Sequence, residues 1–576
     1  MTFLASPALS TLGHGSSTGI PTPSTDTQGG IQTFAYRAAF DDWFMHLIKN
    51  PGKQAELAKE SARLLQQLFS SGMLTRQPGV MLALQDRRFA HPGWQHWPFN
   101  ALSQSFLLTQ QWWHGATTGV AGVSPHHQDM VSFVARQWLN IFSPANFVLT
   151  NPEVLERTAK TGGANLLHGL QNLIADAQRL QAQSPAPGTE AFQVGKQVAA
   201  TPGQVIFRNH LIELIQYKPT SEKVRPEPIL IVPAWIMKFY ILDLSPGDSM
   251  VKYLVDQGHT VFVISWRNPE SEDRDLGMGD YLSLGVMQAL ETVCAVLPDK
   301  KVHAVGYCLG GTLLSIGAAA MGREGDDRLA SISLLAAQTD FTEPGDLSLF
   351  IDEAQVIQLE RAMQDKGYLD NLQMAGAFQL MSSRDLVWSR MLNDYLMGER
   401  LPVSDLMAWN TDGTRLPLRM HSEYLRHMFL RNDLAQGRYE VSGKPVVLDD
   451  IMCPIFCVGT ARDHVAPWRS VYKLHALVGS ELTFLLTSGG HNVGIVNPPG
   501  VAGRSYQVLT QATADNYLAP DAWLEAVPSQ AGSWWPEWEG WLNSQSGKPV
   551  APPAMGSASK GLVPMCAAPG TYVLQK

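Results

Sequence analysis

A cysteine framed by glycines, then an aspartate, then a histidine: that order makes nucleophilic catalysis by a thiol the first chemistry to consider. The stretch Gly306-Tyr307-Cys308-Leu309-Gly310 follows an apolar run, Val302 to Val305, and precedes a run rich in small residues, Gly311 to Ala320. Strand, Gly-x-nucleophile-x-Gly, helix is the nucleophile-elbow pattern, with Cys308 in the nucleophile position. The turn is so tight that side chains two positions either side of the nucleophile would collide, which is why glycines stand there. A free thiol has a pKa of about 8.5 and is mostly protonated at neutral pH, so Cys308 needs a base. His491, in Gly489-Gly490-His491-Asn492, supplies one. Asp463, in Gly459-Thr460-Ala461-Arg462-Asp463-His464, would hold the tautomer and stabilise the imidazolium. Taken singly, Cys308 reads as a core cysteine, Asp463 as a turn former and His491 as a loop histidine. His464 is a rival base, but it adjoins the acid and is expected to point elsewhere. An oxyanion hole needs two backbone N–H groups. One is that of Leu309; the other is expected from Pro233-Ala234-Trp235-Ile236, at Trp235.

These residues can meet only if a sheet brings them together. After about residue 190, strand-like runs alternate with helical ones: Val205–Phe207, Leu211–Tyr217, Ile229–Val232, Val261–Ser265, Val302–Val305, Ile332–Ala336, Ile455–Val458 and Leu482–Leu486. Several are unbroken Val/Ile/Leu runs, as strands buried on both faces should be. Alternation of this kind predicts a mainly parallel sheet with helices on both faces. Cys308, Asp463 and His491 each follow one of these strands, and the order nucleophile, acid, histidine is that of an α/β-hydrolase triad. About a hundred residues, mostly helical in pattern, separate Thr339 from Asp449. A loop of that size predicts an inserted cap over the active edge, at about 341–447.

The predicted fold class is therefore α/β: an α/β-hydrolase fold with a helical cap insert, preceded by a mostly helical N-terminal domain. Residues 1–34, rich in Ser, Thr, Gly and Pro, are expected to be disordered. Residues 35–188 form the helical domain, with helices expected from Gln128 to Phe142 and from Glu153 to Gln183. Its Trp- and Phe-dense segment (Phe89, Trp94, Trp97, Phe99, Phe106, Trp112, Trp113) reads as core. Ser184-Pro185-Ala186-Pro187-Gly188 marks the boundary, and residues 189–576 form the catalytic domain.

Composition narrows the function. A net charge of −9 argues against a general nucleic-acid binder. Five cysteines in 576 residues make no disulfide framework and suit a reducing compartment. Cys453 and Cys457 lack a second pair at zinc spacing and read as core, so no metal site is expected. No apolar run is long enough to span a bilayer, and residues 1–20 lack the features of a signal peptide, which predicts a soluble, cytoplasmic protein.

Several stretches together resemble the polyhydroxyalkanoate synthases. They are Asp86-Arg87-Arg88-Phe89 with Trp94 and Pro98-Phe99; Asn146-Phe147-Val148-Leu149-Thr150-Asn151-Pro152; Thr201-Pro202-Gly203; and Lys238 through Leu244. To these are added the Cys308 elbow, Asp385-Leu386-Val387-Trp388, Asp463-His464, Gly490-His491 with Asn497-Pro498-Pro499, and Ser533-Trp534-Trp535-Pro536. The resemblance is to class I and implies polymerisation of (R)-3-hydroxyacyl-CoA, with 3-hydroxybutyryl-CoA the expected monomer. CoA would be released, acyl-cysteine intermediates formed on Cys308, and no cofactor used, CoA thioester being substrate and CoA product. It further implies a homodimer in the cytoplasm at polyhydroxyalkanoate granules, with the growing polyester and granule-associated proteins as partners. Ala234, Met237 and Asn492-Val493 depart from the family pattern near the expected oxyanion and substrate walls, which bears most on monomer preference. No Gly-x-x-x-x-Gly-Lys phosphate loop is present, so CoA is expected to be held by the cap and scattered basic groups. The alternatives are a Cys-dependent hydrolase, either polyester depolymerase or thioesterase, and a non-catalytic granule coat protein.

Overall fold

The computed structural model describes residues 26–70, 86–182, 184–371, 373, 388–512 and 517–576. The chain divides into two compact units, Met1–Ala186 with Gly376–Pro402, and Pro187–Ala375 with Val403–Lys576.

The first unit carries helices α1 (Asp26–Ile48), α2 (Pro51–Ser70), α3 (Phe99–Thr117), α4 (Pro125–Ile141), α5 (Pro152–Thr161) and α6 (Ala164–Gln181). Helix α1 begins at Asp26, so residues 26–34 are helical rather than disordered; no proline interrupts the chain between Pro23 and Pro51, and nothing stops the helix. Residues 1–25 lie outside the described residues. The single helix expected from Glu153 to Gln183 is two, because Gly162 and Gly163 take φ of 60° and 88° and end α5. Phe89, Trp94 and Phe106 are buried and pack edge to face, with Phe89 and Trp94 centroids 4.8 Å apart. The Arg88 guanidinium lies over Phe106 and pairs with Asp86 at 2.7 Å. Asn151 caps α5, accepting from the Glu153 amide at 2.9 Å. Phe89, Trp94, Phe106 and Asn151 thus serve as core and cap, whereas Trp97, expected in the core, is exposed, as are Phe147 and Leu149.

Residues 376–402, expected within the cap, belong to this first unit. The contact is polar: Asn165 and Asn172 donate to the carbonyls of Leu396 (2.8 Å) and Asp394 (2.9 Å), and Tyr395 donates to Asp176 at 3.0 Å. A Cβ at Gly169 would lie 1.8 Å from the Tyr395 carbonyl, so the backbones approach where only glycine fits. Asp385, Leu386 and Val387 lie outside the described residues.

The second unit is built on an 11-stranded sheet. Its strands are β1 (Gly203–Arg208), β2 (Ile212–Tyr217), β3 (Ile229–Val232), β4 (Val261–Trp266), β5 (Val302–Tyr307), β6 (Leu329–Leu335), β7 (Ile455–Thr460), β8 (Leu482–Thr487), β9 (Ser505–Gln511), β10 (Gln530–Ala531) and β11 (Cys566–Ala567). They run in the order β10-β9-β8-β7-β6-β5-β3-β4-β2-β1-β11. Strands β3 to β8 pair in parallel with one another; β1, β2 and the late strands β9 to β11 add antiparallel edges. Leu230 and Val232 face one apolar core and Ile229 and Ile231 the other, which explains the unbroken apolar runs. All five cysteines are free, and burial pushes Cys453 up to about 11. Among the described residues no helix is long and apolar enough to cross a membrane.

Candidate active site

The residues after β5 make the sharp turn. Cys308 has φ 52° and ψ −124°, a backbone conformation that costs an ordinary side chain and marks an elbow. Helix α7 (Leu309–Glu324) starts at once. A Cβ on Gly306 would lie 2.3 Å from Gly311 Cα, and one on Gly310 would lie 2.1 Å from the Val232 carbonyl oxygen. The first glycine lets the helix fold back over its strand; the second lets the helix start press against the end of β3. The Cys308 amide donates to Leu335 O at 2.9 Å, anchoring the elbow to β6. The Cys308 side chain is half-buried.

His491 comes off the end of β8 through Gly489 and Gly490 and opens a short helix, His491–Ile495. Its Nδ1 lies 2.8 Å from Asp463 Oδ2. Asp463 follows β7, and its carboxylate also accepts from the Thr460 hydroxyl (2.8 Å) and the amides of Val465 (2.9 Å) and Ala466 (2.8 Å). Burial works to raise the Asp463 carboxyl, but the His491 charge and these donors outweigh it and hold it below the usual carboxylate range. Burial likewise opposes the imidazolium, yet the charges of Asp463 and Cys308 and the hydrogen bond to Asp463 hold His491 well above the usual histidine range. With Nδ1 committed to Asp463, Nε2 is the nitrogen left for the Cys308 sulfur. The structure therefore brings Cys308, Asp463 and His491 together. The ring that reaches Asp463 is that of His491; His464 contributes its carbonyl to the Asp346 amide at 3.1 Å.

Leu309 and Trp235 lie on the two segments that Gly310 presses together. The Leu309 amide is among the unsatisfied donors at the start of a 16-residue helix. Trp235 is buried in the loop after β3. Among the described residues neither amide donates to a protein acceptor. Four contacts fix that loop: Trp266 Nε1 donates to Pro233 O (2.8 Å), Thr414 Oγ1 to Trp235 O (2.9 Å) and Trp409 Nε1 to Lys238 O (2.8 Å), while Met237 bridges Gly413.

Sequence reasoning assigned no role to several residues that build this site. The indoles of Trp534 and Trp535 donate to Gly494 O and Ile495 O, both at 2.9 Å, and so hold the helix that carries His491. Asn492, a departure from the family pattern, accepts from Tyr307 OH at 2.7 Å, and the Tyr307 ring lies 5.7 Å from that of His491. Buried Asp243 accepts from Thr201 (2.5 Å) and Ser249 (2.7 Å), which accounts for two more family-like stretches. Of the aromatics in and beside the insert, Trp409 is buried against the loop after β3 and Tyr424 packs on Phe341 and Phe429. Burial first and the Cys308 charge second raise the Tyr424 phenol. Phe350 is half-buried, while Trp388 and Tyr395 fall in the first unit. Among the described residues no cluster of His, Cys, Asp and Glu is placed to hold a metal ion.

Residues 85–254 match the family model of the poly-beta-hydroxybutyrate polymerase (PhaC) N-terminus, and residues 227–498 that of the alpha/beta hydrolase fold. The poly(3-hydroxyalkanoate) polymerase of Methylorubrum extorquens is 39% identical, over 92% of this chain and 88% of its own. The poly(3-hydroxyalkanoate) polymerase subunit PhaC of Rhizobium etli is 38% identical, over 85% of this chain and 77% of its own. The subunit of the same name from Cupriavidus necator is 36% identical, over 86% and 84%.

Proposed function

The chain belongs to the poly(3-hydroxyalkanoate) polymerase family, and from that membership we propose that it is an acyltransferase that polymerises (R)-3-hydroxyacyl-CoA with release of CoA, through acyl-cysteine intermediates on Cys308. The observation that carries the mechanism is His491 held through Nδ1 by Asp463 at 2.8 Å, which leaves Nε2 for the Cys308 sulfur.

In acylation His491 takes the Cys308 proton and the sulfur attacks the thioester carbonyl. The negative charge that develops on the carbonyl oxygen is received by the amides of Leu309 and Trp235. The bond to CoA breaks, and CoA leaves as a thiol carrying the proton from His491. One thioester replaces another, so the acyl group stays activated. In elongation His491 takes the proton of the 3-hydroxyl of the next monomer, and the oxygen attacks the acyl-cysteine. An ester forms, the bond to Cys308 breaks, and the sulfur regains a proton from His491. The lengthened chain, now a CoA thioester, acylates Cys308 again. The acyl-cysteine must outlast the wait for a monomer, and the apolar side chains of Phe341, Trp409 and Tyr424 support a site that keeps water away from it.

The reading extends to short monomers, 3-hydroxybutyryl-CoA first, which the description of the matched N-terminal family supports. Exposed Phe40, Trp138 and Phe142 on the helical unit support association with polyester granules. The test is incubation of purified protein with (R)-3-hydroxybutyryl-CoA. Insoluble polymer with free CoA is expected, and Cys308→Ala should abolish both. Free hydroxyacid in place of polymer would mean a hydrolase, and acylation that survives Cys308→Ala would overturn the nucleophile.

A further inference from the structure

Lys238 is 3% exposed, and its ammonium points into the protein. It donates to Val573 O at 2.9 Å and Gln575 O at 2.5 Å, two neutral carbonyls of the segment Val573–Lys576. Lysine is almost never buried without a charged partner. Asp412, the nearby carboxylate, is engaged by Tyr240 OH (2.9 Å) and Lys576 Nζ (3.3 Å). Burial pushes the Lys238 ammonium down to about 8; Asp412 opposes that, and Lys576 and Arg415 reinforce it. A methionine would fill such a place at lower electrostatic cost, so stability alone does not account for a charge here.

What the charge holds is informative. Val573–Lys576 is also tied by Arg415, which donates to Lys576 O at 2.5 Å, and by Gln575 Oε1, which accepts from the Asn268 amide at 3.0 Å. Arg415 directly follows Thr414, whose hydroxyl grips the Trp235 carbonyl. The Lys238 carbonyl accepts from Trp409. The loop 233–238 is therefore clasped on one side by residues 409–415 and on the other by Val573–Lys576, and Lys238 is where the second clasp closes.

We propose that Lys238 is a positioning residue for acyl transfer: by pinning Val573–Lys576 to the loop after β3, it fixes the Trp235 amide where the thioester oxygen becomes negative. This rests on the reading of Cys308 as nucleophile and of Trp235 as an oxyanion donor. Lys238 touches neither the substrate nor the thiol, so its loss should slow acylation without disarming the sulfur.

Two reactions of the same cysteine separate these effects. Acylation by (R)-3-hydroxybutyryl-CoA builds charge on a carbonyl oxygen, whereas alkylation by iodoacetamide needs only the thiolate. In Lys238→Met, single-turnover acylation should fall about 10- to 100-fold, as for a donor displaced by a fraction of an ångström. Alkylation should stay within about twofold and KM within about threefold of wild type, the signature of lost transition-state binding. Lys238→Arg, which keeps charge and donors, should recover most of the rate. Thr414→Val, which loosens the same loop from its other side, should show the same selective loss and serves if Lys238→Met does not fold. Equal losses in acylation and alkylation would mean general collapse and overturn the proposal, as would wild-type acylation in folded Lys238→Met. If iodoacetamide leaves wild-type acylation intact, Cys308 is not the nucleophile and the site reading fails as well; normal acylation in Lys238→Met beside a Cys308-dependent wild type defeats the positioning role alone.

Discussion

Replacing Gly310 by alanine tests the contact on which the proposed oxyanion site depends. The new Cβ would sit 2.1 Å from the Val232 carbonyl oxygen and 2.7 Å from the Pro233 carbonyl carbon and oxygen. Ordinary contact begins near 3.4 Å, so helix α7 and the end of β3 must part by about 1.3 Å. Val232 cannot retreat easily, because β3 lies between β4 and β5 and Val232 is in register with Gly306. The movement falls on the helix start and on the loop from Pro233 onward, the segments that carry the Leu309 and Trp235 amides. A displacement of about 1 Å in a catalytic group can cost on the order of 100-fold in rate, which corresponds to about 2.7 kcal/mol of barrier. Overpacking should cost a further 1–3 kcal/mol or so of stability. The assay is single-turnover acylation of Cys308 on protein shown to be folded by near-UV circular dichroism. Gly317→Ala is the control, since it lies on the same helix and its Cβ would meet only the end of the Leu282 side chain at 3.0 Å. It should acylate at close to the wild-type rate. If folded Gly310→Ala acylates within threefold of wild type, the spacing of elbow and loop does not govern the reaction.

Two further outcomes follow from the charges. Asp463→Asn should slow elongation more than acylation, because an alcohol is harder to deprotonate than a thiol; comparing single-turnover acylation with steady-state CoA release tests this, and equal losses would contradict it. Burial holds buried His259 and His303 neutral, with pKa values of about 4 against 6.5 in the unfolded chain. As pH falls the unfolded state takes up protons first, so their stability contribution is whole above about pH 6.5 and is lost towards pH 4, by at most ~1.4 kcal/mol per pH unit for each ring. Urea midpoints measured from pH 7 to 4 should fall less steeply in His259→Phe than in wild type; parallel falls would refute the assignment.

Much of the second unit was legible because its signals are local. A central strand buried on both faces must be apolar along its length, and β3 to β8 stand out for that reason. The elbow carries its own glycines, and Asp463 and His491 follow strands that could be read independently. The first unit's claim on residues 376–402 was not legible, since Asn165, Asn172 and Asp176 make that contact with amide and carboxylate groups that leave no apolar period. Strand β9 was missed because its residues are half-buried and mixed in polarity. The role of Trp534 and Trp535 depends on indole N–H groups meeting carbonyls of a helix some forty positions earlier, and a dense aromatic run reads the same whether it fills a core or steers a histidine.

That indole anchorage also has a consequence in time. Translation delivers Cys308 first, and the strand that completes β7 to β8 only much later. The helix bearing His491 receives its last support when Trp534 and Trp535 arrive. Until then a nascent chain displays the thiol while the imidazole that would activate it has no fixed bearing. The imidazole therefore gains its fixed place only once residues some forty positions further along the chain have been made.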